Sequence, residues 1–314
     1  MSDYAVILCA HMSSGRLPSK ALAVYCSDGT DNLTQIIRRW QASERASTLV
    51  VSTTMQVVDD AIEQTAERAG VPCYRGHPTN VVEQMNGALT AYAPDARHVA
   101  RALADNPLVD VALADWRYDV LCETGAEGVA YTIDHSRITY AGTTDVWNRS
   151  AWDKIVSFSS GSQLEHPGAH YWDNLGAYNF VYLQPPRREY LAPVRTELDT
   201  PQDLEMLKTL WDEWRQSNED MDEHYTLSHL PTYWALWYLR TCPEIAAINA
   251  AIPARTQTQP RFAKGLPFLC RACQRRAGTI LSGDLVLACP NCGAKQKFYS
   301  RPPTRVSKLA RDYR

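Results

Sequence analysis

The chain has 314 residues, 45% of them hydrophobic and 21% charged, with a formal net charge of −3. Those values are ordinary for a globular protein and leave room for one substantial core plus an appendage. No stretch approaches bilayer-spanning length, and the apolar run at 4–10 carries neither a basic leader nor a small-residue cleavage site, so no membrane contact and a cytoplasmic location are expected. In chain order, apolar runs at 4–10, 48–51, 71–74 and 98–103 predict strands. Between them, Leu33, Ile36, Ile37 and Trp40, and then Val58, Ile62 and Ala66, recur with helical spacing. Strand–helix alternation predicts an α/β fold, a Rossmann-like and mostly parallel sheet with helices on both faces. A ligand should then sit beyond the carboxyl ends of its strands.

From 131 to 190 the pattern is less regular and rich in aromatics, including Trp147, Trp152, Tyr171, Trp172 and Tyr178. We read this stretch as an acceptor lobe, although such rings more often pack cores and lids than stack on ligands. Leu204, Leu207, Trp211 and Trp214 give a further helix its apolar face, 218–224 is an acidic break, 227–240 is expected to be helical, and 254–260 has the composition of a linker. No internal repeat is evident.

Residues 7–22 read ILCAHMSSGRLPSKAL, an apolar strand that ends in a small polar loop carrying Arg16 and Lys20 with Pro18 between them. Backbone N–H groups of a tight Ser/Gly turn together with two cations suit a triphosphate. The alternative is a surface turn whose Arg and Lys are merely solvated. A second segment runs Arg101-Ala102-Leu103-Ala104-Asp105-Asn106-Pro107-Leu108-Val109-Asp110, in which Asp-Asn-Pro is also ordinary turn chemistry. A third, Glu197-Leu198-Asp199-Thr200-Pro201-Gln202-Asp203-Leu204, is a helix start with Thr200 at the N-cap, proline at the first helical position and Asp203 closing a capping box. Asp199 is not needed for that cap.

These segments, in this order, resemble the sugar cytidylyltransferases that activate acylneuraminate and 3-deoxy-octulosonate, especially the branch of spore-coat polysaccharide biosynthesis. The family loop reads approximately Ala-Arg-x-x-Ser-x-Arg-Leu-Pro-x-Lys, which Ala10, Ser14, Arg16, Leu17, Pro18 and Lys20 fit, whereas His11 stands at the first arginine. Leu103 and Ala104 likewise replace a Thr-Gly pair. Weaker likenesses lie at 71–76 with 80–84, at Glu165-His166 and at 243–249, so that the resemblance spans about 5–250. It implies transfer of CMP from CTP to a sugar, with pyrophosphate leaving. Asp105 and Asp199 would hold catalytic Mg²⁺, and Arg16 and Lys20 would grip the departing phosphates. Ala10, His11, Ser13, Ser14, Arg75 and Arg101 would line the nucleotide, although isolated arginines at strand ends are more often salt-bridge partners. A nucleotidyltransferase domain is accordingly expected over 1–218, and a helical extension and linker over 219–260.

A zinc ribbon with a basic tail is expected over 261–314. Four of the nine cysteines form Cys270-x-x-Cys273 and Cys289-x-x-Cys292, with 15 residues between the pairs. Two such knuckles complete a tetrahedral Zn²⁺ shell and leave no open position, so the metal is expected to be structural. The remaining cysteines, Cys9, Cys26, Cys73, Cys122 and Cys242, show no pairing pattern and read as reduced thiols. Residues 261–314 hold 12 Lys/Arg against 2 Asp/Glu, while 1–260 hold 20 against 33. Such a module suits nucleic acid or an acidic protein surface, that surface being its own catalytic domain or a second copy in a homodimer. Two further readings stay open from the residues alone. One is a glycosyltransferase using a nucleotide-sugar, for which Asp220-Met221-Asp222 has the metal-motif spacing but lies in an acidic break. The other is a degenerate nucleotide-binding scaffold for a nucleic-acid-binding ribbon.

Overall fold

The computed structural model of the chain describes residues 3–131, 139–183, 194–218 and 230–252, together with four short strands between 268 and 298. The first apolar run becomes the sheet's centre. β1 (Tyr4–Cys9) lies parallel between β2 (Thr48–Thr54) and β4 (His98–Leu103). Tyr4, Val6 and Leu8 face one core while Ala5 and Ile7 face the other. A strand covered on both faces reads as a continuous apolar run rather than an alternating one, which is why these strands were legible as blocks.

With β3 (Cys73–Gly76), β5 (Gly128–Tyr131), β6 (Asp145–Asn148) and β7 (Phe180–Leu183), the seven strands are ordered β3-β2-β1-β4-β6-β5-β7. The sheet is mostly parallel, as expected. β6 is the exception, running antiparallel to both β4 and β5. β3 begins at Cys73 rather than Val71, because Pro72 has no N–H for the ladder and contributes only its carbonyl, to Val51 N–H at 2.9 Å.

Helices cover both faces. α1 (Asn32–Gln41), α2 (Asp60–Arg68) and α4 (Val111–Thr124) line one core through Leu33, Ile36, Ile62, Ala66, Trp116 and Val120. α3 (Val81–Tyr92), α5 (Arg149–Phe158) and α6 (Ala169–Asp173) line the other through Met85, Leu89, Trp152 and Ile155. Asp31, Asn80, Asp110 and Asn148 accept the N-terminal N–H bonds of α1, α3, α4 and α5. The expected helix through Val58 starts as a 3₁₀ turn at Val57–Asp59 that leaves Val58 exposed, and α2 follows. Trp147, Trp152, Tyr171, Trp172 and Tyr178 are all buried in the second core, so packing is their role.

A third core forms where α7 (Pro201–Gln216) presents Met206, Leu207, Leu210, Trp211 and Trp214 to α8 (Thr232–Thr241) and α9 (Pro243–Ala247). α8 starts after Pro231, five residues later than the apolar pattern suggests. Tyr25, Leu108 and Leu198 join this core, so the segment at 230–252 packs against the same body that carries the sheet. The four remaining strands, β8 (Phe268–Leu269), β9 (Arg276–Gly278), β10 (Leu285–Ala288) and β11 (Lys295–Phe298), pair as two antiparallel hairpins. Among the described residues, no helix is long and apolar enough to cross a membrane.

Candidate active site

The polar loop after β1 is folded tightly on itself. Ser14 and Ser19 N–H groups both donate to the Met12 carbonyl at 3.0 Å, so part of the loop's donor set is used internally. Met12 N–H in turn donates to Asp59 Oδ1 at 2.7 Å, and the Thr54 hydroxyl donates to the other oxygen of that fully buried carboxylate. Asp59 thereby fastens the loop to the carboxyl end of β2. Ser19 takes a left-handed conformation (φ 58°), which turns the chain so that Lys20 heads a short 3₁₀ turn and points inward, only 6% exposed. Asn32 completes the anchoring, donating to the carbonyls of Ala104 at 2.6 Å and Lys20 at 3.4 Å.

Asp105 lies two residues beyond the end of β4. Its carbonyl accepts Leu198 N–H at 3.0 Å, which lays the 197–203 segment against the strand end. Asp105 and Asp199, 7% and 1% exposed, meet at one point: Lys20 Nζ lies 2.5 Å from Asp199 Oδ1 and 3.4 Å from Asp105 Oδ2. Arg16 approaches Asp199 Oδ2 at 2.7 Å and Arg195 the same oxygen at 3.5 Å. The Tyr140 hydroxyl donates to Asp105 Oδ1 at 3.1 Å. All four nominated residues of the loop and the two carboxylate segments are therefore in one knot. Three cations face Asp199, an arrangement that tolerates its burial because the charge is compensated on several sides.

Behind Asp199 lies a second carboxylate. Asp203 accepts the N–H groups of Asp199 and Thr200 at 2.9 Å, Arg195 Nε at 2.7 Å and Nη2 at 3.0 Å, and Asn249 Nδ2 at 3.0 Å. The Thr200 hydroxyl accepts Asp203 N–H, so the expected capping box is present. Burial pushes the Asp203 carboxyl up, yet the Arg195 and backbone hydrogen bonds outweigh it and hold the group below its ordinary value. Glu197 goes the other way, since burial outweighs the nearby Arg195 guanidinium and raises its carboxyl.

Other expected contacts are placed differently. Arg75 is engaged by the protein: Nη1 binds Asp60 at 2.6 Å and Glu63 at 2.9 Å, and its other nitrogens donate to the carbonyls of Thr54 and Gln56. Arg101 donates to the Pro167 carbonyl and lies 3.6 Å from Asp145. Ala10 is buried with its N–H donated to the Ser52 carbonyl. His11 and Ser13 are exposed and pair with each other at 3.3 Å, and Ser14 is half-buried. Cys270, Cys273, Cys289 and Cys292, the Asp220-Met221-Asp222 spacing and the basic tail lie outside the described residues.

Four contributors were not singled out from sequence as site residues: Asp59, Tyr140, Arg195 and Asn249. Arg195 had a local signal, a charge two residues before the Glu197 segment. Asn249 lay in a tail likeness without a role, and Asp59 and Tyr140 had no signal beyond helix-start and aromatic patterns.

Residues 5–148 match the cytidylyltransferase family. That match covers the loop, β4 and Asp105 and stops short of Asp199. The spore coat polysaccharide biosynthesis protein SpsF of Bacillus subtilis is 25% identical over 214 residues, covering 67% of this chain and 87% of that protein. An uncharacterized protein of Methanocaldococcus jannaschii is 23% identical over 218 residues, covering 69% of this chain and 83% of its own length. Among solved structures, a cytidylyltransferase from Leptospira borgpetersenii superposes with a TM-score of 0.66 at 20% identity, covering 78% of this chain and 97% of that one. A CMP:2-keto-3-deoxy-manno-octonic acid synthetase complexed with CTP gives 0.52 at 12% identity, covering 68% and 99%. These structural likenesses are likenesses of fold, and they extend past the family match into the segment that carries Asp199.

Proposed function

We propose that the protein is a sugar cytidylyltransferase, moving CMP from CTP to a hydroxyl of an acidic sugar. The observation that carries this reading is the convergence of Lys20, Asp105 and Asp199, which lie 85 and 179 residues from the lysine in sequence and within 3.4 Å of its Nζ in space. The sugar hydroxyl oxygen forms a bond to the α-phosphorus and gives up its proton to solvent, the bond to the bridging oxygen breaks, and pyrophosphate leaves. Arg16 and Lys20 would bind the β- and γ-phosphates and stabilise the charge that develops on the leaving group. Two acidic oxygens facing one point, with no sulfur or nitrogen ligand among them, suit a hard divalent cation, so Asp105 and Asp199 would hold Mg²⁺. When bound, that ion supplies electrostatic stabilisation of the phosphoryl oxygens. Tyr140 orients Asp105, and the Asp203–Arg195 pair orients Asp199.

The C-terminal module is read as a structural zinc ribbon with a basic surface for nucleic acid or an acidic protein face. What supports it is position: each Cys-x-x-Cys pair falls in sequence between the two strands of one hairpin, Cys270 and Cys273 between β8 and β9, Cys289 and Cys292 between β10 and β11. A screen of the four nucleoside triphosphates against acidic and neutral sugars, read by pyrophosphate release, tests the catalytic reading. Release with CTP and one sugar class is expected. No release with any pair, while CTP still binds, would turn the domain into a nucleotide-binding scaffold.

A further inference from the structure

At the amino-terminal edge of the sheet, opposite the Lys20 site, three potential metal ligands from distant parts of the chain face one another. Asp3 immediately precedes β1, His98 opens β4 and Cys122 lies in the last turn of α4. Their ligand atoms, a carboxylate oxygen, an imidazole nitrogen and the thiol sulfur, all lie within 4.8 Å of one another. From this juxtaposition we propose that Asp3, His98 and Cys122 form a zinc site with a fourth position open to water.

The independent pointer is His98. It is 8% exposed, its Nδ1 finds no hydrogen-bond partner among the described residues, and that nitrogen faces Asp3 Oδ2 at 4.0 Å. Leaving a buried polar atom without a partner is costly, so a ligand that uses its lone pair accounts for its retention. The ring is fixed edge-on to Tyr118, with centroids 5.0 Å apart and planes at 82°.

The surroundings orient the other ligands. Asp3 Oδ1 accepts from Arg97 Nε, and Oδ2 accepts the Tyr118 hydroxyl at 2.6 Å, the kind of outer hydrogen bonds that fix a ligating carboxylate. One thiolate, one imidazole and one carboxylate suit borderline-soft Zn²⁺ and disfavour Mg²⁺, which takes oxygen alone. With bond lengths of about 2.0–2.3 Å, an ion draws its ligands to within about 4 Å of one another. Cys122 is exposed, so its side chain is free to rotate toward the ion. An ion here would tie the start of β1 to β4 and α4.

The full chain, saturated with Zn²⁺ and freed of excess, should hold one more zinc per chain than Cys122→Ser or Asp3→Asn, with unchanged circular dichroism. Zinc should also slow iodoacetamide alkylation of Cys122, followed at that peptide by mass spectrometry, at least tenfold in the native chain and not in Asp3→Asn. Cys122 is exposed, so its serine variant should fold. Equal zinc content in native protein and both variants, or a Cys122 alkylation rate unmoved by zinc, overturns the site.

Discussion

Asp203→Ala is the most informative single change, because one fully buried carboxylate accepts five hydrogen bonds: two backbone N–H groups, two from Arg195 and one from Asn249. Removing it leaves the Arg195 guanidinium, 7% exposed, with Asp199 at 3.5 Å and Glu197 at 3.9 Å as its charged neighbours. Breaking a buried pair from one side costs about 3–5 kcal/mol, and a lost N-cap partner about 0.5–2 kcal/mol. The two overlap at this residue, so about 4 kcal/mol is expected from urea unfolding, a large share of a domain stability of about 5–15 kcal/mol. Replacing the pair together, Arg195→Met with Asp203→Leu, should cost less than Asp203→Ala alone, because the guanidinium goes with its carboxylate, Asp199 keeps Lys20 and Arg16, and Glu197, whose carboxyl burial already raises, can take up a proton. The pH dependence has a definite sign. With the folded carboxyl below 3.8, the unfolded chain binds more protons as pH falls, so this stabilisation is complete above about 4 and is lost as pH drops through the folded value. The acid limb of the stability curve should flatten in Asp203→Ala. A loss under about 1 kcal/mol, or a double variant no better than the single, would refute the account of Asp203 as the anchor of this segment.

Lys20→Ala should weaken CTP binding by about one to two decades, the value of a charge-assisted contact of about 1.5–3 kcal/mol, and calorimetry with unchanged affinity would place the triphosphate elsewhere. Arg75→Ala should leave CTP affinity unchanged and lower the thermal midpoint, since its guanidinium already serves Asp60, Glu63 and two carbonyls; a selective loss of CTP affinity would restore it to the nucleotide site. Asp115 is raised to about 6 by burial, against the pull of the Ser43 hydroxyl and Glu44 N–H. Its neutral form is favoured in the fold, so that contribution is present below about pH 4 and is lost as pH rises through about 6, by up to about 3 kcal/mol at about 1.4 kcal/mol per unit; unfolding of Asp115→Asn across pH 4–7 should lack this slope, and an identical slope would refute it.

Much of the sheet and the loop was legible because both are local. A strand buried on two faces writes itself as an apolar block, and β1 and β4 begin where their blocks begin, at Tyr4 and His98. The Thr200-Pro201-Asp203 start of α7 is a short-range hydrogen-bond pattern and matches its structure bond for bond. The four-residue strands β5, β6 and β7 carried too few residues to show a period, and their pairing, including the reversed β6, depends on contacts across the sheet. Arg75 and Arg101 could be ranked from sequence only as cations near strand ends. Which acceptors they meet is decided by residues up to 66 positions away, as with Arg101 and Pro167. Asn249 escaped notice for the same reason, since it reaches Asp203 from 46 residues downstream.

The knot at the strand ends also holds its cations unequally. Two carboxylates as buried as Asp105 and Asp199 repel one another across a medium of low dielectric, so the fold needs counter-charge at that point before any substrate arrives. Three cations supply it, but they are held differently. Arg195 is clamped by two bonds to Asp203, which Asn249 holds from the far side, and so it stays with Asp199. Arg16, with its side chain 48% exposed, and Lys20, on the loop behind the left-handed Ser19, have no such clamp among the contacts described above. On the cytidylyltransferase reading, a triphosphate would draw Arg16 and Lys20 toward itself, and the oxygens they leave are the ones a divalent cation would take. Nucleotide and cation binding would then be coupled through the same two side chains, with Arg195 holding Asp199 in place.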